Sequence, residues 1–436
     1  MSEEANAKTT GQESPATVAG PFQQRKVLAM ILLLTLLIAY LDRVNVSVLV
    51  ADNAFLQEMG IAGNPVQMGL LMSLFLMAYG IANVVLSPLG DFMGPRRAMS
   101  LSIVLWACSL AVGGIASGFA VMLLSRVLLG SGEGLHWPMQ SKYVKNWFPP
   151  NERGKANSIW LVGLFIGPAL AMPFFTWLLQ MISWRASFFA LVGLGLIPLF
   201  LIWFFTTDHP RENRSISTAE LNYIEEALKQ EAQEEAQAVK VSVWDNAKTF
   251  IFNYRFWLLT IYYVANCAIW WGTMAWLPSY LKVARGFSWA SMGALSSLPY
   301  FLATITVICS GYLSDKVGRR APFIAIALIC SSAGIYFGAY APDNMTAAIY
   351  ISLGIASLAI GTPCGWSLLQ QLVPGRAVGA GAGVMNGVGS ILSALAPVLI
   401  GVCIDVSGSY VGGLMFLVGV GVIGAIASII LAIQKY

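Results

Sequence analysis

Asp42 and Arg43 lie inside an apolar segment, 27–50, long enough to cross a bilayer. A second charged couple, Arg126 and Glu133, lies inside another such segment, 119–143. An ionised group at depth in hydrocarbon costs about 2.5–3.5 kcal/mol on insertion scales. Four of them point to a polar path through a helix bundle, and so to movement of a charged solute with protons. The alternative is that the four neutralise one another as buried braces between helices, and the two roles can coexist. Arg126 and Glu133 are seven residues apart and share a helix face. Their vertical separation is about 10 Å at 1.5 Å per residue. Asp42 and Arg43 are about 100° apart on their helix, so one can face a cavity while the other contacts a neighbouring helix. Arg suits bidentate carboxylate binding. A carboxyl poised between burial, which disfavours its charged form, and a nearby guanidinium, which favours it, can exchange a proton as its surroundings open and close.

The elements that must hold these groups are membrane spans. Hydrophobic residues make up 57% of the chain and charged residues 11%, against about 25% charged in a soluble domain. That excludes a soluble multidomain enzyme. A span needs about 20 apolar residues, and twelve candidates occur: 27–50, 66–86, 98–117, 119–143, 156–181, 187–205, 256–281, 292–313, 321–340, 345–372, 378–406 and 410–433. Barrel strands would be shorter and alternating, so the expected class is an all-α membrane protein with twelve transmembrane helices in two six-helix halves.

Lys and Arg in short loops set the orientation. One side carries Arg25, Lys26, Arg96, Arg97, Lys145, Arg153, Lys155, Lys316, Arg319, Arg320 and Arg376. The other carries mainly Arg185, Lys282 and Arg285. The first side is expected to be cytoplasmic, with both termini there. The first twenty residues are polar and mildly acidic, so no cleavable signal peptide is expected ahead of the first span. The net charge of +4 follows the loop bias and does not suggest nucleic acid. The six cysteines all fall inside spans without metal-ligand spacing, and are expected as small residues in packing seams. Two histidines, no His-Glu-x-x-His run, no phosphate-cradling loop and no nucleophile–base set leave no case for an enzyme, a metal, a cofactor or ATP-driven transport by this chain alone.

The chain divides near 207–254, the longest polar stretch after the N-terminus. The expected units are a tail (1–26), a first bundle (27–206), a linker (207–254) and a second bundle (255–436). In the linker, Ser217-Thr218-Ala219-Glu220 has the form of a capping box, and Leu221, Ile224 and Leu228 follow on one face. A short surface helix is expected, its Glu and Lys residues solvated. The strongest organisational signal is a repeated loop. Ser87-Pro88-Leu89-Gly90-Asp91-Phe92-Met93-Gly94-Pro95-Arg96-Arg97 follows the second candidate, and Gly311-Tyr312-Leu313-Ser314-Asp315-Lys316-Val317-Gly318-Arg319-Arg320 follows the eighth. Leu, Asp, Gly and paired arginines recur in register. Asp91 and Asp315 can accept backbone N–H bonds at a helix start, and Gly94 and Gly318 permit the turn.

Twelve spans, a six-plus-six split and this loop in both halves resemble the major facilitator superfamily. Tyr40-Leu41-Asp42-Arg43-Val44-Asn45, Gly132-Glu133-Gly134, Trp147-Phe148-Pro149, Trp276-Leu277-Pro278-Ser279-Tyr280-Leu281 and Val384-Met385-Asn386-Gly387 narrow the resemblance to its anion:cation symporter branch. That branch contains bacterial galactonate, glucarate and hexuronate transporters. The resemblance implies two inverted three-helix repeats per half, with substrate near the midplane between halves. By resemblance to the sugar-acid members, Arg43 and Arg126 would meet a substrate carboxylate. Asp42 and Glu133 would carry protons. Tyr40, Tyr79, Trp366 and Asn386 would line the site, while Asp91, Gly94, Arg96, Asp315, Gly318 and Arg319 would form gating loops. Core packing competes for Tyr79 and Trp366, and a helix–helix hydrogen bond for Asn386.

Departures bear on the substrate. Ser87 stands in place of the usual leading Gly. Leu164 stands where sugar-acid members tend to carry Gln, and Pro363-Cys364-Gly365 where relatives have small hydroxyl residues. Tyr262, Tyr263, Trp270, Trp271 and Trp276 make the seventh span aromatic. A less hydroxylated or aromatic acid therefore competes with an aldonate. His136 is a third proton site or a neutral hydrogen-bonding group. The expectation is a proton-coupled symporter, in the inner membrane as a monomer, importing a small organic anion; a facilitator, an exporter and a transporter-like sensor are the alternatives.

Overall fold

An apolar run in hydrocarbon must satisfy its own backbone, which a helix does within the segment. The computed structural model describes residues 23–237, 243–374 and 377–434, without the side chains of 234–237, 243–246 and 315, and these residues contain helices and no strand. In chain order they are α1 (Gln24–Leu49), α2 (Asn53–Met59), α3 (Pro65–Val85), α4 (Leu89–Met93), α5 (Pro95–Gly114), α6 (Phe119–Trp147), α7 (Arg153–Leu161), α8 (Gly163–Met181) and α9 (Trp184–Phe205). Then come α10 (Thr218–Gln237), α11 (Val243–Ile251), α12 (Tyr254–Ser279), α13 (Trp289–Val317), α14 (Ala321–Tyr340), α15 (Asn344–Leu372), α16 (Val378–Ser393), α17 (Ala396–Ser407) and α18 (Tyr410–Ile433).

Ten helical stretches are long and apolar enough to cross a membrane by length and composition. α6 and α12 are as long, at 29 and 26 residues. α6 is diluted by its charges and α12 by its Tyr and Trp residues. With them the bundle has twelve membrane-length units. Three of these differ from continuous spans. The fifth is broken at Val162 between α7 and α8. The eleventh is broken at Ala394–Leu395, just ahead of Pro397. The seventh, after Pro278, ends in a π-helical turn over Tyr280–Ala284.

Helices α1–α9 pack among themselves, with α3 and α5 on α6, α5 on α9 and α1 on α8. Helices α12–α18 do likewise, with α14 on α15 and α18, and α13 on α15. The two sets meet along α8–α13, α3–α17 and α1–α12. Their tightest approach is at the end of the bundle away from the repeated loops. There a Cβ on Gly69 would stand 2.4 Å from the Pro397 carbonyl oxygen, and one on Gly401 would stand 2.4 Å from that of Pro65. Ser73 Oγ accepts from the Val398 amide at 3.0 Å. At this same end, Asn64, Ser183, Ser288, Asp343 and Ser409 cap the helices that start there by accepting backbone N–H bonds, which satisfies donors a helix start otherwise leaves orphaned.

The linker helix departs from a wholly solvated element. Ser217 Oγ accepts from the Glu220 amide at 3.2 Å, half of the expected capping box. The Glu220 carboxylate does not turn back. It is 2% exposed and accepts from the amides of Gln24 and Arg25 at 3.0 and 3.2 Å. A carboxylate thus caps the start of α1, where the helix dipole favours negative charge. Arg153 binds Glu231 through both terminal nitrogens, at 2.6 and 2.7 Å, and Tyr223 donates to Glu152. The Arg153 guanidinium holds the Glu231 carboxyl below the usual carboxylate range.

The cysteine expectation holds in part. Cys364 is buried, but Cys108, Cys309 and Cys330 are exposed on the helices' outer faces. A small apolar residue is as acceptable to lipid as to a seam, so span location alone does not separate the two. The tail residues 1–22, Arg376 and the Asp315 side chain lie outside the described residues.

Candidate functional site

The charged residues of α1 and α6 are brought together where small residues let α3 close on α6 and α8 close on α1. On α6, a Cβ on Gly130 would lie 2.3 Å from the Phe75 carbonyl oxygen, and one on Gly134 would lie 2.6 Å from that of Tyr79. This four-residue glycine spacing draws α3 against α6 and sets Phe75 and Tyr79 beside Glu133. On α8, a Cβ on Gly163 would stand 3.1 Å from the Leu37 amide, and one on Gly167 would stand 2.6 Å from Tyr40 Cβ. That contact seats Tyr40 and the α1 turn that follows it.

Asp42, Arg43, Arg126 and Glu133 are all buried, none more than 2% exposed. The ion pair that forms is crossed between the two couples. Arg43 Nε donates to Glu133 Oε2 at 2.7 Å. The Arg43 guanidinium also lies 4.5 Å from the Tyr40 ring, 4.7 Å from Tyr79, 5.7 Å from Trp271 and 5.9 Å from Phe75. Aromatic faces take a cation at these distances, so Arg43 is stabilised by an acid and by rings from both halves. Arg126 also lies over the Phe75 ring, at 4.7 Å. Its Nε donates to the Leu71 carbonyl at 3.2 Å.

What remains unmatched is specific. Arg126 Nη1 and Nη2, both Asp42 oxygens and Glu133 Oε1 have no hydrogen-bond partner among the described residues. Asp42 lies within electrostatic reach of Glu133, Arg126 and Arg43. Burying such atoms without partners is costly. A two-pronged cation edge in the same buried cluster as three unpartnered carboxyl oxygens can take up an external carboxylate and protons.

The second half supplies the facing wall. Trp271 of α12 lies parallel to Tyr40, with centroids 6.4 Å apart and planes 10° apart. Tyr263 donates to Asn386 Oδ1 at 2.9 Å and meets Trp366 edge-on at 5.5 Å. A Cβ on Gly389 would lie 2.4 Å from the Tyr263 ring, so α16 closes on that tyrosine. Tyr79, Tyr263, Trp270, Trp271, Trp366 and Asn386 are half-buried rather than buried. Tyr263, Trp271 and Phe75 were not singled out as site residues by sequence. Phe75 lies four residues before Tyr79, on the same face, which is the signal that could have found it.

His136, one turn beyond Glu133, is 1% exposed. Gln140 Nε2 lies 3.3 Å from its Nε2 and also donates to the Leu32 carbonyl at 2.9 Å. If the amide gives its second hydrogen to the ring, that nitrogen is an acceptor and the imidazole is neutral. This arrangement favours the hydrogen-bonding reading of His136.

The repeated loops lie apart from this cluster and repeat in space. Arg96 Nη2 donates to the Trp203 carbonyl on α9, and Arg319 Nη2 to the Ala432 carbonyl on α18. In each half the first paired arginine thus clasps the last helix. Gly94 and Gly318 take positive φ, 78° and 73°. A Cβ on Gly94 would meet the Asp208 carboxylate, which accepts from the Arg96 amide at 2.7 Å. Asp91 sits in the first turn of α4 and pairs with Lys142 of α6.

A pocket lined by Gly272, Trp276, Tyr280, Ile351, Ile400 and Leu417 lies within the second half, is almost wholly apolar, and holds none of these charges.

The chain is 27% identical over 438 residues to a D-galactonate transporter of Escherichia coli, covering 96% of this chain and 97% of that protein. It is 29% identical to a probable sulfoacetate transporter of Cupriavidus necator, covering 93% of each. Its fold matches the crystal structure of a bacterial homolog to the human lysosomal transporter Spinster, in an inward-facing, unoccupied conformation. That match has a TM-score of 0.75 at 16% identity and covers 96% of this chain and 99% of that one. Residues 32–397 match the Major Facilitator Superfamily, and the chain, a multi-pass membrane transporter and not an enzyme, belongs to that family.

Proposed function

We propose that the chain is a proton-coupled symporter that imports a small organic anion, a sugar acid or another carboxylate, into the cytoplasm by alternating access. The observation that carries this reading is the free two-nitrogen edge of Arg126 among the unpartnered oxygens of Asp42 and Glu133. Arg126 takes the substrate carboxylate. Glu133 holds Arg43 by its 2.7 Å bond; a proton on Glu133 removes that charge pairing and frees Arg43 as a second cation for the anion. Asp42 takes the other proton. With four charges balanced two against two, protonation leaves a net positive site that suits an anion. Loss of the protons on the far side of the cycle restores the Arg43–Glu133 pair and expels the substrate. Tyr40, Tyr79, Trp366 and Asn386 line the path. The names of the galactonate and sulfoacetate relatives support an acid as substrate.

The first bundle (27–206) and the second (255–436) are the two rocking bodies, joined by the 207–254 linker. The loops of Asp91, Gly94 and Arg96 and of Asp315, Gly318 and Arg319 govern the rocking at the cytoplasmic rim. Loop arginines and lysines support an inner-membrane protein with both termini in the cytoplasm, working as a monomer. The halves' tight approach at Gly69, Pro397, Gly401 and Pro65 then corresponds to closure on the outer side.

Reconstitution into liposomes tests the reading. With the outside acidic, labelled carboxylate should accumulate inside, and a protonophore should abolish the accumulation. Equilibration without accumulation, unaffected by the protonophore, would replace symport by facilitated diffusion.

A further inference from the structure

We propose that the substrate carries its carboxylate on a flat, aromatic or conjugated body, held between Tyr40 and Trp271. The inference rests on the transport reading above and adds the shape of the cargo.

Tyr40 belongs to the first half and Trp271 to the second, and their rings face each other almost in parallel, 10° apart, with centroids 6.4 Å apart. Carbon faces meet at about 3.5 Å, so a planar guest between two parallel rings needs them about 7 Å apart. The two rings ride on bodies whose relative movement is the transport cycle, so that movement opens or closes the face-to-face slot that a planar guest would enter. Arg43 flanks both rings, at 4.5 and 5.7 Å. A guest stacked beside these rings therefore has the Arg43 guanidinium within reach of its acid group, and Arg126, which also lies over the Phe75 ring, adds a second cation nearby.

Four polar side chains of the second half are already engaged. A polyhydroxylated body needs several donors and acceptors, and a hydroxyl buried without them is costly. Asn386 Oδ1 is taken by Tyr263, and Asn266 Nδ2 by the Leu358 carbonyl. Thr362 and Thr273 donate to carbonyls of their own helices. Leu164 packs with Phe165 and Trp270 in an apolar cluster and offers no hydrogen bond. The half-buried surface here, Tyr79 of the first half with Tyr263, Trp270, Trp271, Trp366 and Asn386 of the second, is a mainly aromatic wall suited to a π-face.

The test uses the purified full-length chain and measures ligand-dependent melting and tryptophan fluorescence with benzoate, 4-hydroxybenzoate, cyclohexanecarboxylate and D-galactonate. Cyclohexanecarboxylate matches benzoate in size and charge and is not planar. Benzoate or its 4-hydroxy derivative should bind at least tenfold more tightly than cyclohexanecarboxylate and D-galactonate. Trp271→Leu should weaken the aromatic acid at least tenfold, and Trp271→Phe, which keeps a flat face, should restore it to within threefold. Equal binding of the planar and non-planar acids would overturn the slot. So would tighter binding of D-galactonate that depends on Arg126, a result that leaves the transport reading intact. If none of the acids bound and Arg126→Ala matched the parent throughout, the transport reading and the slot would both fall.

Discussion

Arg43 Nε donates to Glu133 Oε2 at 2.7 Å, so the first and fourth membrane-length helices are tied by an ion pair that neighbouring residues in the sequence do not form. Both partners are buried, and breaking a buried pair by truncation strands the other charge. Glu133→Gln keeps the shape and an acceptor oxygen while removing the exchangeable proton. The variant should bind substrate and carry out substrate-for-substrate counterflow at near the parent rate. Uptake driven by a pH gradient should fall at least tenfold. Parallel counterflow and gradient-driven assays decide it, and gradient-driven accumulation at the parent level in both this variant and Asp42→Asn would remove these carboxyls from the coupling step.

Arg126 has a different environment, and its variant should behave differently. Its two terminal nitrogens have no protein acceptor among the described residues, so Arg126→Ala breaks no ion pair in the resting protein. Melting temperature should fall modestly, through loss of the 3.2 Å bond to the Leu71 carbonyl and of the Phe75 contact. Losing a buried, hydrogen-bonded charge contact to ligand costs about 2–5 kcal/mol. Substrate affinity should therefore drop by at least about thirtyfold, which is some 2 kcal/mol. Isothermal titration against the best ligand reads it; near-parent affinity would recast Arg126 as a structural cation.

Much of the fold was legible because hydropathy and length dictate spans directly. The runs 321–340 and 410–433 coincide with α14 and α18 to the residue. The breaks at Val162 and Ala394 were not legible, since an apolar run reads the same with or without a local kink. The four buried charges were legible as outliers in apolar segments. Their crossed pairing was not, because it is set by how α3, α6 and α8 approach through Gly130, Gly134, Gly163 and Gly167. Glu220 shows the same limit. Its spacing from Ser217 fits a capping box, yet its carboxylate is claimed by a helix 195 residues earlier.

The contact of Gly69 with Pro397 and Val398 holds the halves together at one end of the bundle. A side chain there must push α3 away from α17, since the obstacle is backbone at 2.4 and 2.8 Å. Overpacking a close contact costs about 1–3 kcal/mol, and here the cost falls only on the conformation closed at that end. Gly69→Leu should shift the population toward the opposite closure without unfolding the protein. A cysteine at Ser47, buried near this interface, should then react with a thiol reagent about 5–30 times faster in the Gly69→Leu background. Unchanged labelling would mean that the two halves do not separate along α3 and α17.

The linker helix should stay docked over a wide pH range and come loose on the acid side. Arg153 holds the Glu231 carboxyl below its usual value of 4.5. A carboxyl lowered in the folded state contributes stability above its unfolded value and loses it as pH falls through the folded one. Both side chains are 21% exposed, so the pair is worth at most about 1 kcal/mol. The Glu220 cap on α1 is better shielded and is worth about 0.5–2 kcal/mol. Trypsin cleavage within residues 207–254 of the membrane-embedded protein reports release of α10. Between pH 6 and 8, the fraction released should not change for the parent chain. Glu231→Gln should raise it a few fold and Glu220→Ala by about 2–30 fold, the factor that about 0.5–2 kcal/mol supplies. Substrate affinity should be unaltered in both, because neither residue reaches the Arg43–Glu133 cluster. A parent chain released progressively as pH rises from 6 to 8 would have the opposite sign, and would assign the docking to a group that must be protonated to hold.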